Sequence, residues 1–501
     1  MPNETAVPES TSTVSVEIKK FDDIWGLPYK VVLPSFQRAY VWQEKNLRKL
    51  LHDFLDFAKT EQSEYYMGTI LLYKNQHKHE QNSCFEVIDG QQRLTTLVIL
   101  KSILTHSEIP ENCAFEFQSQ ISQNNIIRAK QILASHTQNE TLKQTLNEVF
   151  GKLRFTLVIT DSQDDAFSFF DTQNSRGVQL RAIDLLKAHH LRVIRSYDKQ
   201  SVVAKKWESI EYEPSLIVPN EKNKLLDELF QYILYRARAW RGTNVEIPAN
   251  KLLQREGLQA EFGDKTLAIS EIQMYPHRNN TYVRSIDIDD DGSYIAEYRW
   301  KDYKHTPHNL PFSLRQPINK GIGYFLFVEK YALILKHLTN HEDNKLLEFD
   351  GLYQNVVSHL SGYLRQFYML CMVCYYDKFE DKDLFKFALW LEFIVGSLRW
   401  RNDRIVEQTI PKYLREQPIN LIDMILGAYT PDQLLQDMQP YINEAKSLYE
   451  NQPSDIKDKP VKQRYAEKVF EYYGQSKGGK PDAPSIGDKY RWVNDKIGVL
   501  K

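Results

Sequence analysis

Asp89-Gly90-Gln91-Gln92-Arg93 sets a carboxylate, a glycine, two amides and a guanidinium in a row between two apolar segments. Arginine can grip an oxyanion through two parallel hydrogen bonds. Glutamine can orient a ligand or a water, and a carboxylate such as Asp89 can hold Mg²⁺ or fix the turn. Two other polar clusters interrupt apolar text in the same way, Phe36-Gln37-Arg38 and Asn174-Ser175-Arg176-Gly177. Such residue types suit a phosphate-bearing ligand. They equally suit a purely structural role, in which the arginines pair with Asp22, Asp184 or Asp89 and fix loops. The pattern leaves both open.

The elements that must position these groups are legible. Cys84, Phe85, Val87 and Ile88 read as a strand, and Asp89-Gly90 as a turn, because glycine tolerates φ > 0. From Gln91, the residues Leu94, Leu97, Val98, Ile103 and Leu104 fall at helical spacing, to about Thr105. A strand-to-helix turn presents unpaired N–H groups at the positive end of the helix dipole, a ready anion site.

Along the chain, residues 1–13 read as a disordered lead-in rich in Ser, Thr, Pro and Glu. Strands are expected at Val14–Ile18, Tyr29–Leu33, Met67–Tyr73, Phe85–Ile88 and Phe155–Ile159. A helix carries Leu47, Leu50, Leu51, Phe54 and Leu55 on one face, and residues 110–150 form a helical insert. Helices at Asp164–Phe170 and Ile183–Ile194 complete an α+β unit over 14–200. Residues 201–450 are mainly helical, with a hairpin around Asp291-Gly292, and 451–501 is a polar tail.

The chain of 501 residues has room for two or three domains, and its net charge of −2 announces no global basic field for nucleic acid. No segment reaches the roughly 18 apolar residues of a membrane span. The polar, acidic N-terminus is unlike a signal peptide. Four cysteines at irregular spacing fit a reducing, cytoplasmic setting.

Leu33 to Trp42, Gly68-Thr69-Ile70, Asp89 to Leu97, and Phe170 to Lys187 (with Asn174, Arg176, Gly177, Leu180, Asp184 and Lys187) come in an order that resembles the N-terminal module of GmrSD-type restriction enzymes. The resemblance covers about residues 15–200. It implies a ParB/sulfiredoxin-like fold that binds and hydrolyses nucleoside triphosphates with Mg²⁺, and a role in defence against phage DNA, often DNA with modified bases. It implies Asp89, Gln91, Gln92 and Arg93 as catalytic residues. It implies Gln37, Arg38, Gly90, Thr95, Asn174, Arg176 and Gly177 as nucleotide-binding residues. DNA is the expected partner, with a separate nuclease subunit or a second copy of the chain. Many members carry an HNH-type nuclease. Here His308-Asn309-Leu310-Pro311 fits only the first piece, lies before the helical continuation, and reads as a loop.

Asp287 to Gly292 begins like an EF-hand loop, but its twelfth position is Tyr298 rather than Glu. Cys371-Met372-Val373-Cys374 sits in an apolar helical run without a second such pair. His189-His190 is expected at a surface or interface. Arg399, Arg401 and Arg404, beside Trp400, could meet DNA phosphates; a solvated helix end is the plainer reading. Three functions remain: a nucleoside triphosphatase of antiphage restriction, a non-catalytic DNA-sensing or regulatory subunit, and a self-sufficient nuclease.

Overall fold

The structure is a computed structural model that describes residues 13–34, 37–75, 83–105, 110–117, 119–162, 165, 166, 169, 181–218, 224–269, 271–275, 283–298, 310–340, 346–451, 459–475 and 485–499. It divides into two units, residues 1–184 and 185–501.

The first unit is α+β. Its strands are β1 (Val14–Lys20), β2 (Lys30–Val32), β3 (Tyr65–Asn75), β4 (Cys84–Asp89), β5 (Cys113–Ala114) and β6 (Leu153–Thr160), in one sheet ordered β1-β6-β3-β4-β2-β5. β1/β6 and β3/β4 are antiparallel, whereas β3/β6, β2/β4 and β2/β5 are parallel. The helices are α1 (Phe21–Trp25), α2 (Glu44–Ala58), α3 (Gln91–Thr105), α4 (Gln120–His136) and α5 (Glu140–Lys152).

α2 buries Leu47, Leu50, Leu51, Phe54 and Phe57 and leaves its charged side to water. These side chains join Phe21, Phe85, Phe150, Phe155 and Leu157 in one core cluster. Each such burial contributes roughly 1.5–3 kcal/mol. α3 differs, because Gln91, Gln92 and Leu94 through Leu100 are all buried. A helix covered on every side is held in place by its neighbours, which makes its first turn a rigid platform.

The second unit is mainly helical, with a two-stranded hairpin, β7 (Val283–Ile288) and β8 (Tyr294–Tyr298). At its turn the Asp289 and Asp291 carboxylates accept the Ser293 N–H at 2.8 and 2.9 Å, and Gly292 takes φ +91°. The EF-hand-like run is therefore a capped hairpin turn. The helix Leu225–Glu228 continues through a π-helical stretch, Leu229–Leu234, into Tyr235–Ala239.

Helix Ala182–Leu191 spans the point, between Asp184 and Leu185, where the chain divides into its two units. Two expectations change. His190 on that helix is fully buried, bonds the Phe262 carbonyl at 2.7 Å, and stacks on Tyr324 with ring centroids 3.7 Å apart. The expected surface or interface position fails because the ring has found both an aromatic and a backbone partner. The expected polar tail carries helices Pro460–Tyr472 and Lys489–Val499. Lys489 is fully buried there against the Glu392 carboxylate at 2.7 Å, so an apparently solvated lysine anchors the C-terminal helix. Cys371 and Cys374 lie in the helix Gly362–Phe379, and burial pushes both thiols up, which disfavours the thiolate a metal would need.

Candidate functional site

β4 ends at Asp89, Gly90 turns with φ +97°, and α3 begins at Gln91. A Cβ on Gly90 would come within 3.2 Å of Ile70, so the turn needs glycine for both conformation and space. The first helical bond runs from Leu94 N to Gly90 O at 2.9 Å, and the N–H groups before it point out of the helix.

Four of the expected site residues, Gln37, Gln92, Arg93 and Asp89, are engaged within the protein. Gln37 Nε2 donates to the carbonyls of Val87 at 2.8 Å and Ile88 at 2.7 Å. Gln92 accepts the Val41 N–H at 2.9 Å and donates to the Ala39 carbonyl at 3.0 Å. Arg93 donates to the carbonyls of Met67 at 2.9 Å and Thr69 at 2.7 Å, and its Nη2 is 3.3 Å from the Asp89 carboxylate. These groups fix the 37–41 loop and the β3 backbone around the start of α3. Tyr40 reinforces the loop: its hydroxyl bonds Thr96 at 2.8 Å, its N–H donates to Ser122 at 3.0 Å, and Asn125 donates to its carbonyl at 2.8 Å. Burial pushes the Tyr40 phenol up to about 12.

Gly68 makes the Arg93 contacts possible. β3 is irregular between Tyr66 and Thr69, and Gly68 takes φ +101°. A Cβ there would collide with Arg93 Nη1. In the sequence Gly68 belongs to the Gly68-Thr69-Ile70 block and Tyr40 to the Leu33–Trp42 block, but no sequence pattern links Gly68 to Arg93 or Tyr40 to α3. Ser122 and Asn125 carry no signal in the sequence.

The remaining expected residues are differently placed. Arg38 is exposed and makes no hydrogen bond or ion pair among the described residues. Gln91 and Thr95 are 6% and 2% exposed, and Gln91 Oε1 and Thr95 Oγ1 have no hydrogen-bond partner. Four residues apart on α3, they share one face. Asp89 is 29% exposed in its side chain. It is one carboxylate at the turn, and no group of three or more His, Cys, Asp or Glu able to hold a metal occurs among the described residues. A lone carboxylate fits Mg²⁺ brought in with a ligand's phosphates. Asn174, Arg176 and Gly177, and also His308, lie outside the described residues.

The basic segment near residue 400 is corrected at one position. Arg399 is buried and donates to the carbonyls of Asn402 and Asp403, closing the C-terminus of its own helix, so its guanidinium is not presented to DNA. Arg401 lies 3.6 Å from Glu416 and 3.5 Å from Glu444, and Arg404 is exposed.

An α+β module with a polar strand–turn–helix at the end of β4, a staple from the preceding loop and a half-buried arginine strut defines the first unit. Residues 19–191 match the GmrSD restriction endonuclease N-terminal domain, and the first unit is a module of that type. Residues 199–454, just over half of the chain, match a family of unknown function (DUF7834), and the chain belongs to that family. No curated protein matches the chain. No described helix is long and apolar enough to cross a membrane.

Proposed function

We propose that this protein is a nucleoside triphosphatase of a restriction system, with its nucleotide at the start of α3. The domain match supports the restriction role. The observation that carries the site is the pair of unsatisfied buried groups, Gln91 Oε1 and Thr95 Oγ1, four residues apart on α3. Leaving such groups unpaired costs about 1–3 kcal/mol each. A ligand or its hydration water would recover that.

In this reading Arg38 and the α3 N–H groups bind the phosphates. Gln91, with Thr95 beside it, orients the attacking water. That water's oxygen bonds to the terminal phosphorus as the bond to the bridging oxygen breaks. The nucleoside diphosphate leaves, and the proton passes to solvent or product phosphate. Asp89 would hold Mg²⁺, which neutralises phosphate charge when bound. Gln37, Gln92 and Arg93 are positioning residues, with Gly68 as the seat of Arg93. Foreign, possibly modified DNA would be the sensed partner. Cleavage would fall to this chain or to a separate nuclease subunit.

Phosphate release by the purified protein, with each nucleoside triphosphate and Mg²⁺ and with or without phage DNA, tests the reading. Turnover should fall in Arg38→Ala mainly through KM and in Gln91→Leu mainly through kcat. One observation favours a second reading, a non-catalytic DNA-sensing or regulatory module: the internal satisfaction of Gln37, Gln92 and Arg93. Absence of turnover with every nucleotide, with DNA or partner binding intact in Arg93→Ala, would select it.

A further inference from the structure

A buried guanidinium lacks an acceptor in the second unit, within the region matched by the family of unknown function. Arg236, in the helix Tyr235–Ala239, is 6% exposed. It makes no ion pair and no side-chain hydrogen bond with any described residue, although it carries five N–H donors. Two rings flank it, Tyr232 and Trp240, each with its centroid 4.8 Å from Cζ. Cation–π contacts offset part of the lost hydration but supply no acceptor for the donors. None of its nitrogens is among the fully sealed, partnerless polar atoms, so the donors keep an opening to solvent. Burial pushes Arg236 down to about 10, so the group remains charged at neutral pH.

The surroundings carry further unmet capacity. Tyr232 lies in the π-helical stretch Leu229–Leu234, and π turns occur frequently at functional sites. Opposite it, on the helix Gly362–Phe379, the Gln366 amide lies beside the Tyr232 hydroxyl. Gln366 is 6% exposed and its Oε1 is unpartnered. Tyr363, in the first turn of that helix, and Glu407 lie close enough to bias the Arg236 charge without pairing with it. Tyr363 is 37% exposed, and the positive end of the helix dipole adds to the local field.

We propose that Arg236 is the charged centre of a second oxyanion site, one for a small phosphate-class anion, walled by Tyr232, Trp240 and Gln366, with Tyr363 and Glu407 at its mouth. The low exposure of Arg236 selects a compact anion or a terminal phosphate over the backbone of a long polymer. Glu407 is a competitor: its carboxylate disfavours a bound anion and can take the vacant place beside the guanidinium. This site does not depend on the triphosphatase reading, because every residue in it belongs to the second unit.

Calorimetric titration of the full chain with inorganic phosphate, and in a parallel arm with a nucleoside monophosphate, tests the proposal. Arg236→Met should weaken phosphate binding by roughly tenfold or more, and Glu407→Gln should strengthen it. Without ligand, Arg236→Met should melt no lower than the parent, because it removes an uncompensated buried charge. A stronger effect in the monophosphate arm assigns the anion to a nucleotide; equal effects assign it to free phosphate. Unchanged phosphate affinity in folded Arg236→Met overturns the proposal. So does a parent protein that binds neither anion; an Arg236→Met variant that then melts several degrees lower marks a structural cation–π role. Should Arg236→Met fail to fold, unchanged phosphate affinity in Glu407→Gln overturns it instead.

Discussion

Arg93 is half-buried and Arg236 buried, one in each unit, and their environments are opposite. Arg93 meets two carbonyls and a carboxylate. Arg236 meets two aromatic faces and no acceptor among the described residues. A guanidinium whose donors are met by its own chain holds that chain in shape, and losing it leaves acceptors stranded. A guanidinium whose donors are unmet has a desolvation cost that a ligand can relieve. Lys489 belongs with Arg93, since Glu392 and Tyr465 meet its ammonium at 2.7 Å. Charge and burial alone therefore do not mark a binding residue; the count of unmet donors does.

This contrast can be broken at its strongest point first. Glu392→Ala strands a fully buried lysine, and should cost about 3–5 kcal/mol in denaturant unfolding. A cost below about 1 kcal/mol would mean that Lys489 reaches water in solution. Arg93→Ala should cost about 2–4 kcal/mol, by leaving the Met67 and Thr69 carbonyls unpaired, and should abolish nucleotide turnover. Gly68→Ala should cost about 1–3 kcal/mol, because the new Cβ collides with Arg93 and the backbone sits at positive φ. The two should be strongly non-additive in a double-mutant cycle. Additive costs would remove Gly68 as the seat of Arg93.

Acid should act on the second unit through its histidines. Burial, the largest cause at each, lowers His189 to about 4 and His190 well below the ordinary 6.5. The unfolded chain binds these protons near 6.5 and the folded chain resists them. Their contribution is thus complete above about pH 6.5 and is lost as pH falls toward 4. The melting temperature should drop through that window, and His190→Asn should flatten its slope. The smallest effect is the most discriminating. Gln91→Leu should change stability by less than about 1 kcal/mol, because the amide oxygen it removes is already unpaired, while turnover is lost. Destabilisation larger than that would show Gln91 to be a structural residue like Gln92.

Much of the site was legible before any coordinates. Gly90 marked the turn, the spacing of Leu94 and Leu97 marked the helix, and short runs of β-prone apolar residues marked β3 and β4, because composition, period and turn chemistry are local properties. The ranking among Gln37, Arg38, Gln91, Gln92 and Arg93 was not legible. Adjacent residues on a helix start point in different directions, so Gln91 and Gln92 share a residue type and neighbouring positions but not a role. The expected polar tail failed for a related reason: Lys489 reads as solvated until Glu392, 97 positions away, is placed beside it.

Local sequence thus determined the elements, the α+β then helical order, and the point where a strand hands over to a helix with polar groups exposed. Only the tertiary structure decided which of those polar groups the protein satisfies itself. That is a matter of distance between residues such as Arg93 and Gly68, Gln37 and Ile88, or Tyr232 and Gln366. Hydrogen bonding and desolvation act through space, and chain spacing carries no record of them.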